Sequence, residues 1–175
     1  MKNKNNAGYV TAIVTAAMIA ALYVALSFVA QLLGLASGAI QVRISEALTI
    51  LPFFTPAAIP GVTIGCFLFN LLSGAAFLDI IFGATATLIG AVLSYFIGKK
   101  AQHSKPLRFL IPVPPIAANA FIVPWVLRTA YGLEDAYWYL FATVGIGEVI
   151  SCGILGMILL YALLPIRKHL FPDRF

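Results

Sequence analysis

The stretch YVTAIVTAAMIAALYVALSFVAQLLGL, residues 9–35, decides the fold class. It contains no charged residue and no proline, and as a helix at ~1.5 Å per residue it is longer than a bilayer core of roughly 30 Å. The apolar core of a signal peptide has only about 7–15 residues, so we interpret this run as a first membrane helix. The whole chain agrees with that interpretation, because 62% of its residues are hydrophobic and only 10% are charged, whereas soluble domains have about 25% charged residues.

Further apolar runs predict an all-α fold, a bundle of six transmembrane helices that forms a single integral membrane domain over residues 1–175. The second run is short and contains Pro52 and Pro56, so we expect a broken, partly re-entrant helix. Such backbone is tolerated at membrane depth only where protein or a water-lined cavity covers it. The expected spans are Tyr9–Leu35, Ile44–Ile59, Gly61–Leu72, Phe77–Ile97, Leu110–Leu127 and Tyr137–Leu164.

The basic residues predict the orientation of the six spans. Alternate loops lie on opposite sides, and one side has only Arg43 and Arg128 among its basic residues, together with Asp79, Glu134 and Asp135. By the positive-inside rule the other side is cytoplasmic, which places both termini inside the cell. That side holds Lys2, Lys4, Lys99, Lys100, Lys105, Arg108, Arg167, Lys168 and Arg174.

Several function classes are excluded or disfavoured by missing motifs. The net charge is +5, but the basic residues form no basic face, so nucleic acid is not an expected partner. The chain has no GxxxxGK[ST] phosphate-binding loop and no HExxH or GxSxG motif. Cys66 and Cys152 lie in apolar runs without metal-ligand spacing, and we interpret both as buried thiols. We therefore expect neither an enzyme nor a cofactor or metal in this chain.

Glu148 is the most informative polar residue, because it lies eleven residues inside the last apolar run. An ionisable side chain at that depth is costly and by default marks function. On a helix it shares a stripe with Tyr137, Phe141 and Gly145, which predicts an aromatic-lined face with a carboxylate at its floor. The alternative is a structural hydrogen bond to a neighbouring helix.

Other polar residues within or near the spans are further candidates for binding. Asn119 and Asn70 either bind a solute or join helices, as amides commonly do in membranes. Arg43 and Glu46, three positions apart, form either a rim ion pair or part of a solute site beside the broken helix. Asp79 either caps the positive end of its helix or belongs to the same site.

Small residues recur every fourth position along the first helix. Ala12, Ala16 and Ala20 form one row, and Ala17, Ala21 and Ala25 form another. Rows of this kind let helices approach closely in lipid. They serve either packing within the chain or docking onto a partner subunit.

Three stretches carry a resemblance to a known family. They are QVRISEALTILPFFTPAAIPG at 41–61, GCFLFNLLSGAAFLDIIFGATATLIGA at 65–91 and GEVIS at 147–151. With them the chain resembles the substrate-binding (S) components of energy-coupling factor (ECF) transporters, and most closely the QueT family assigned to queuosine precursors.

This resemblance implies a multi-pass S component in the bacterial cytoplasmic membrane that binds its solute near the outer face. Ala16, Ala17, Ala20 and Ala21 would dock on a membrane coupling protein, and two separate ATPases would use ATP. The implied solute is a 7-deazaguanine with an aminomethyl group. Its polar groups would meet Glu148, Glu46, Asp79 and Asn119, and its ring would stack on Tyr137 and Trp138.

Two alternatives to a queuosine-precursor S component remain open on the sequence, besides a membrane enzyme. One is an S component for another vitamin, since the polar residues do not select a single solute. The other is a stand-alone proton-coupled carrier in which Glu148 is the proton site.

Overall fold

The computed structural model describes residues 2–35 and 40–171, with side chains from Gly8 onward. Residues 36–39, in the predicted loop between the first two spans, lie outside the described ranges, as does Arg174. Within the described ranges every regular element is helical, which confirms the all-α prediction. The elements are α1 (Lys2–Leu32), a 3₁₀ helix (Ile44–Phe53), α2 (Ala58–Leu72), α3 (Phe77–Ala101), α4 (Lys105–Arg108), α5 (Val113–Tyr131), α6 (Tyr137–Glu148), a π-helical segment (Val149–Leu155), α7 (Gly156–Leu163), a second 3₁₀ turn (Leu164–Ile166) and α8 (Arg167–Leu170).

Four of the helical stretches are long and apolar enough to cross a membrane. They are Gly8–Leu32, Phe77–Ala101, Lys105–Tyr131 and Tyr137–Leu170, and two shorter apolar helices accompany them. The six elements match the predicted helical bundle in number and order, although two of them are too short to cross a bilayer core alone.

The short second element is the 3₁₀ helix Ile44–Phe53, which contains Pro52. At about 2 Å per residue, its ten residues extend only about 20 Å. Every residue from Ser45 to Phe53 is buried, because α1, α3, α7 and the π-helical segment pack around it. Neighbouring helices therefore cover its irregular backbone, as the bilayer requires.

Several helix boundaries differ from the predicted spans. α2 begins at Ala58 instead of Gly61, α3 continues to Ala101, and α5 runs to Tyr131. The predicted limits of α3 and α5 followed the apolar runs, whereas polar residues extend these two helices beyond them. The earlier start of α2 adds only the apolar residues 58–60. Lys99 and Lys100, in the last turn of α3, are favoured there by the negative end of the helix dipole.

The first two α-helices pack closely through small residues. A Cβ added at Gly61 would lie 2.9 Å from the Ala16 carbonyl oxygen, and one at Gly65 would lie 2.6 Å from Tyr23 Cβ. Glycine four residues apart allows the backbones to approach this closely. Part of the alanine pattern in α1 therefore serves packing within the chain.

This packing predicts different effects on the melting temperature for two glycine-to-alanine changes. Gly65→Ala should lower the melting temperature in detergent, because the methyl group forces Tyr23 and α1 to shift, and such overpacking costs about 1–3 kcal/mol. Gly8→Ala, also in a helix but with no atom within 4 Å of its added Cβ, should leave the melting temperature unchanged or raise it. Equal melting temperatures for the two variants would contradict the close α1–α2 contact.

The bundle has two chemically different ends. At one end Gly8, Thr55, Tyr95 and Leu170 line a common hollow, and the chain there carries Lys99, Lys100, Lys105, Arg108, Arg167 and Lys168. We call this the lysine-rich end. At the opposite end, which we call the Asp79 end, α1, α2 and α5 finish and α3 begins.

Candidate functional site

A half-open cavity of about 480 Å³ lies at the Asp79 end. That volume falls within the range of about 300–1,000 Å³ that is usual for small-molecule sites. Its apolar wall includes Phe69, Leu127 and Leu133, whereas two other hollows of similar size, on the sides of the bundle, are almost wholly apolar. The cavity's polar side chains are those of Gln31, Gln41, Arg43, Asn70, Ser73, Asp79 and Tyr131.

Asp79 is held in the cavity wall by residues from two other helices. It lies in the first turn of α3 and is only 6% exposed. Tyr131, at the end of α5, donates a hydrogen bond to Asp79 Oδ2 at 3.0 Å, and Asn70 donates to the Asp79 carbonyl oxygen at 3.2 Å. Gly83 leaves room for this arrangement, since a Cβ there would lie 2.9 Å from Asn70 Nδ2. The carboxylate is thus fixed in position and still faces the cavity.

Arg43 links the cavity to the interior of the bundle. It is half-buried, lines the cavity, and interacts electrostatically with both Asp79 and Glu46. Its backbone N–H donates to Ser151 Oγ at 3.1 Å. Gly147 makes this attachment possible, because any Cβ at that position would overlap the Gln41 carbonyl group.

Beneath Arg43 lies a group of buried polar side chains, which we call the buried cluster: Glu46, Asn119, Glu148 and Cys152. All four are at most 6% exposed. A carboxylate oxygen of each glutamate and the Cys152 thiol lie within 4.8 Å of one another. Tyr23 donates a hydrogen bond to Glu46 Oε1, and the Cys152 thiol donates to Glu148 Oε2 at 3.2 Å.

The buried cluster is incompletely hydrogen-bonded. Among the described residues, Glu46 Oε2 and Asn119 Nδ2 are buried atoms without a hydrogen-bond partner, although the Asn119 amide lies close enough to Glu148 to interact with it. An unsatisfied buried group costs about 1–3 kcal/mol. The π-helical segment begins directly after Glu148, and π-helical turns occur often at functional sites.

The charges around the cavity and the buried cluster are unbalanced. Asp79, Glu46 and Glu148 supply three carboxylates, whereas Arg43 is the one cation among the described residues that line the cavity or belong to the cluster. Ionised carboxylates are expensive at membrane depth without a counter-charge. The arrangement therefore favours a positively charged ligand, or protons.

The sequence-predicted site residues divide into three groups. Arg43, Asn70 and Asp79 line the cavity, and Glu46, Asn119 and Glu148 belong to the buried cluster. Tyr137 and Trp138 lie at neither place.

The two predicted stacking residues have other surroundings. The Tyr137 hydroxyl donates to the Phe121 carbonyl oxygen at 2.7 Å, and Trp138 is 70% exposed. The aromatic side chains at the cavity are instead Phe69 and Tyr131. Tyr131 and Asp79 are 52 residues apart in the chain, so no local pattern in the sequence indicates that they are partners.

The predicted stripe on the last helix is divided between two surroundings. Phe141 and Gly145 line an apolar groove of about 540 Å³ between α5 and α6. Glu148 does not line that groove and faces Cys152 and Glu46 inside the bundle. The carboxylate is therefore not the floor of an aromatic-lined face.

The alanine rows of α1 also divide. Ala20 is buried against α2 and Ala16 is half-buried, whereas Ala17 and Ala21 are exposed. All four line a lateral groove of about 600 Å³, together with Ile64 and Leu68 of α2. Ala16 and Ala20 therefore pack inside the chain, whereas Ala17 and Ala21 remain accessible in the groove.

Comparison with known proteins gives one informative relative. Over 77 residues the chain is 44% identical to the "Queuosine precursor transporter QueT" of Lactococcus lactis subsp. cremoris (strain MG1363). The aligned stretch covers 44% of this chain and 45% of that relative. No solved structure matches the chain significantly.

The family comparison covers far more of the chain. The model of the family described as "QueT transporter" matches residues 13–165, a range that contains the cavity, the buried cluster and most of the alanine-lined groove. Together with the four long apolar helices, this match means that the chain is a multi-pass membrane protein, not an enzyme, and belongs to the QueT transporter family.

Proposed function

We propose that this chain binds a queuosine precursor of the 7-deazaguanine class as the membrane-embedded binding subunit of an importer. The observation that carries the proposal is the cavity at the Asp79 end, with three carboxylates and a single guanidinium in and beneath it. An aminomethyl-deazaguanine supplies the missing positive charge, and the N–H groups of its ring supply hydrogen-bond donors. Phe69 and Tyr131 offer aromatic surface for its ring.

The distribution of charge supports an orientation for this proposed subunit. The lysine-rich end faces the cytoplasm by the positive-inside rule, which puts both termini inside. The Asp79 end and its cavity then face outward across the bacterial cytoplasmic membrane. An importer needs its binding site open on that side.

A binding titration tests the proposal directly. Purified protein in detergent should bind 7-aminomethyl-7-deazaguanine with a saturable heat signal by calorimetry, and the same solute should raise the melting temperature. Biotin, thiamine and riboflavin, added as competitors, should not displace it. Displacement by one of them would favour an S component for that vitamin.

The energy for uptake comes, in this proposal, from partner subunits of an ECF module. The chain lacks the GxxxxGK[ST] loop, so ATP would be used by two ATPases that act through a membrane coupling protein. The open groove beside Ala17 and Ala21 offers an apolar surface at which a helix of the coupling protein can approach closely.

Docking on this groove predicts an assembly defect without a binding defect. Ala21→Trp should fill the groove and strongly reduce recovery of the coupling protein with the tagged chain, while solute binding is retained. Met18→Trp is the matched control, since Met18 is 68% exposed on α1 but does not line the groove. If both variants recover the coupling protein equally, the groove is not the docking surface.

A stand-alone proton-coupled carrier is the second candidate, and the close pair Glu46 and Glu148 favours it. Two carboxylates within 4.8 Å and out of contact with solvent are suited to exchanging a proton. Liposomes that contain this chain alone separate the two candidates. Deazaguanine accumulation driven by a proton gradient would support the carrier, and its absence, with binding intact, would support the binding subunit.

A further inference from the structure

The geometry points to two subsites within the proposed solute site, each of which binds a different polar part of the solute. The buried cluster recognises the guanine-like edge of the solute, the side that carries the ring N–H, the amino group and the carbonyl oxygen. Asp79, at the cavity, binds the ammonium group of the aminomethyl arm. This inference rests on the proposed function, and it assigns the partners that the sequence left open.

The two unpartnered atoms of the buried cluster are of opposite kinds. Glu46 Oε2 is an acceptor and Asn119 Nδ2 is a donor. The Glu46 carboxylate and the Asn119 amide both lie near the Glu148 carboxylate. A guanine-type edge presents two neighbouring N–H donors followed by a carbonyl acceptor. A carboxylate of the cluster accepts from the two N–H groups, and Asn119 Nδ2 donates to the carbonyl oxygen. One ligand edge thus satisfies both atoms.

Other occupants of the buried cluster match its donors and acceptors less completely. A metal cation bound by Glu46, Glu148 and Cys152 would occupy carboxylate oxygens and bring no acceptor of its own for Asn119 Nδ2, which is a donor. An adenine-type edge has a single exocyclic N–H donor group beside a ring-nitrogen acceptor, so it offers the two carboxylates of the cluster fewer N–H donors than a guanine-type edge, which adds the ring N–H. The presence of two neighbouring carboxylates therefore favours the two N–H donors of a guanine-type edge.

The route to the buried cluster passes Arg43. This residue lines the cavity and interacts electrostatically with both Glu46 and Glu148. Glu46, Asn119 and Glu148 are each at most 6% exposed, so a side chain between the cavity and the cluster must move before the solute edge can reach them, and in this proposal that side chain is Arg43. A long, half-buried arginine has the rotational freedom for this movement.

The aminomethyl arm then remains at the cavity. Asp79 keeps one oxygen, Oδ2, on Tyr131, and a carboxylate has further acceptor capacity for an ammonium group. The arm is attached at C7, beside the carbonyl oxygen, and the two N–H donors lie on the far side of that oxygen, so the ammonium group and the N–H groups occupy different parts of the deazaguanine. They can thus meet an outer and an inner carboxylate at the same time.

Calorimetric titration with two matched ligands tests the assignment. The first probe is 7-aminomethyl-7-deazaguanine, and the second is the same molecule without its 2-amino group. Wild-type protein should bind the second probe about 10- to 150-fold more weakly, because a buried charged acceptor loses its donor. In Glu46→Gln and Glu148→Gln proteins the difference between the two probes should shrink, since a neutral amide replaces the carboxylate. Glu134→Gln, on an exposed loop, should keep the wild-type difference.

The outcomes distinguish failure of this inference from failure of the proposed function. If wild-type protein binds neither probe, the proposed function itself is wrong. If it binds both probes equally tightly, the guanine-edge assignment is overturned without recourse to any variant. If the two cluster variants melt like wild type but weaken both probes by the same factor, the cluster has a structural role only, and the assignment is again overturned.

Discussion

Asp79→Asn should weaken binding of 7-aminomethyl-7-deazaguanine by about two to three orders of magnitude. Removing one partner of a buried ion pair typically costs about 2–5 kcal/mol, partly because the other charge stays unpaired. Asparagine has the same shape and its carbonyl oxygen can still accept from Tyr131, so the cavity wall should be preserved. The loss should therefore come from charge and not from unfolding.

The matched measurement uses a solute without the ammonium group. Plain 7-deazaguanine should bind the Asp79→Asn protein about as well as wild type, as judged by calorimetric titration of both. Asp135→Asn, on the exposed loop before α6, should behave like wild type toward both solutes. An equal loss for both solutes in Asp79→Asn protein would show that Asp79 supports the fold and does not bind the ammonium group.

Gly147→Ala should reduce both stability and binding. The added methyl group would overlap the Gln41 carbonyl group, so the segment leading to Arg43 must move off α6 and its hydrogen bond to Ser151 must lengthen. Overpacking with a backbone shift costs about 1–3 kcal/mol. Because Gln41 and Arg43 both line the cavity, moving this segment deforms the cavity wall, and we expect the affinity to fall by about 10- to 100-fold.

Gly145→Ala provides the control two residues away on the same helix. Its added Cβ would lie 3.8 Å from Ala120 Cβ, an ordinary contact. Melting temperature and calorimetric affinity should both remain near wild type in this variant. If Gly147→Ala also melts and binds like wild type, the attachment of the Arg43 segment to α6 does not control the site.

Much of the fold could be predicted from the sequence, because a membrane helix must be long, apolar and almost free of charge. The run from residue 9 to 35 satisfies all three conditions, and the short, proline-containing second element was visible from Pro52 and Pro56. The helix ends were less predictable. Lysines at the end of α3 and Arg128 in α5 continue helices that the hydropathy of the sequence alone would end earlier.

The candidate site was predictable in its residue types but not in its arrangement. Glu46, Asn119 and Glu148 stand out because polar groups are expensive in lipid, and the structure brings them together. The pairing of Asp79 with Tyr131, and the passage of the Gln41 backbone over Gly147, join residues far apart in the chain. No periodicity or spacing encodes such contacts. Aromatic residues near the membrane surface, such as Trp138, also look like ring-stacking candidates when their helix face is unknown.

The most direct test of the account is to identify the small molecule that the protein carries. The chain would be expressed in cells supplied with 7-aminomethyl-7-deazaguanine together with biotin, thiamine and riboflavin, purified in detergent and denatured. Mass spectrometry of the released fraction should find the deazaguanine in roughly equimolar amount, and much less of it from Asp79→Asn protein. Release of one of the vitamins instead, or of no solute from a folded protein, would contradict the proposal that this cavity binds a queuosine precursor.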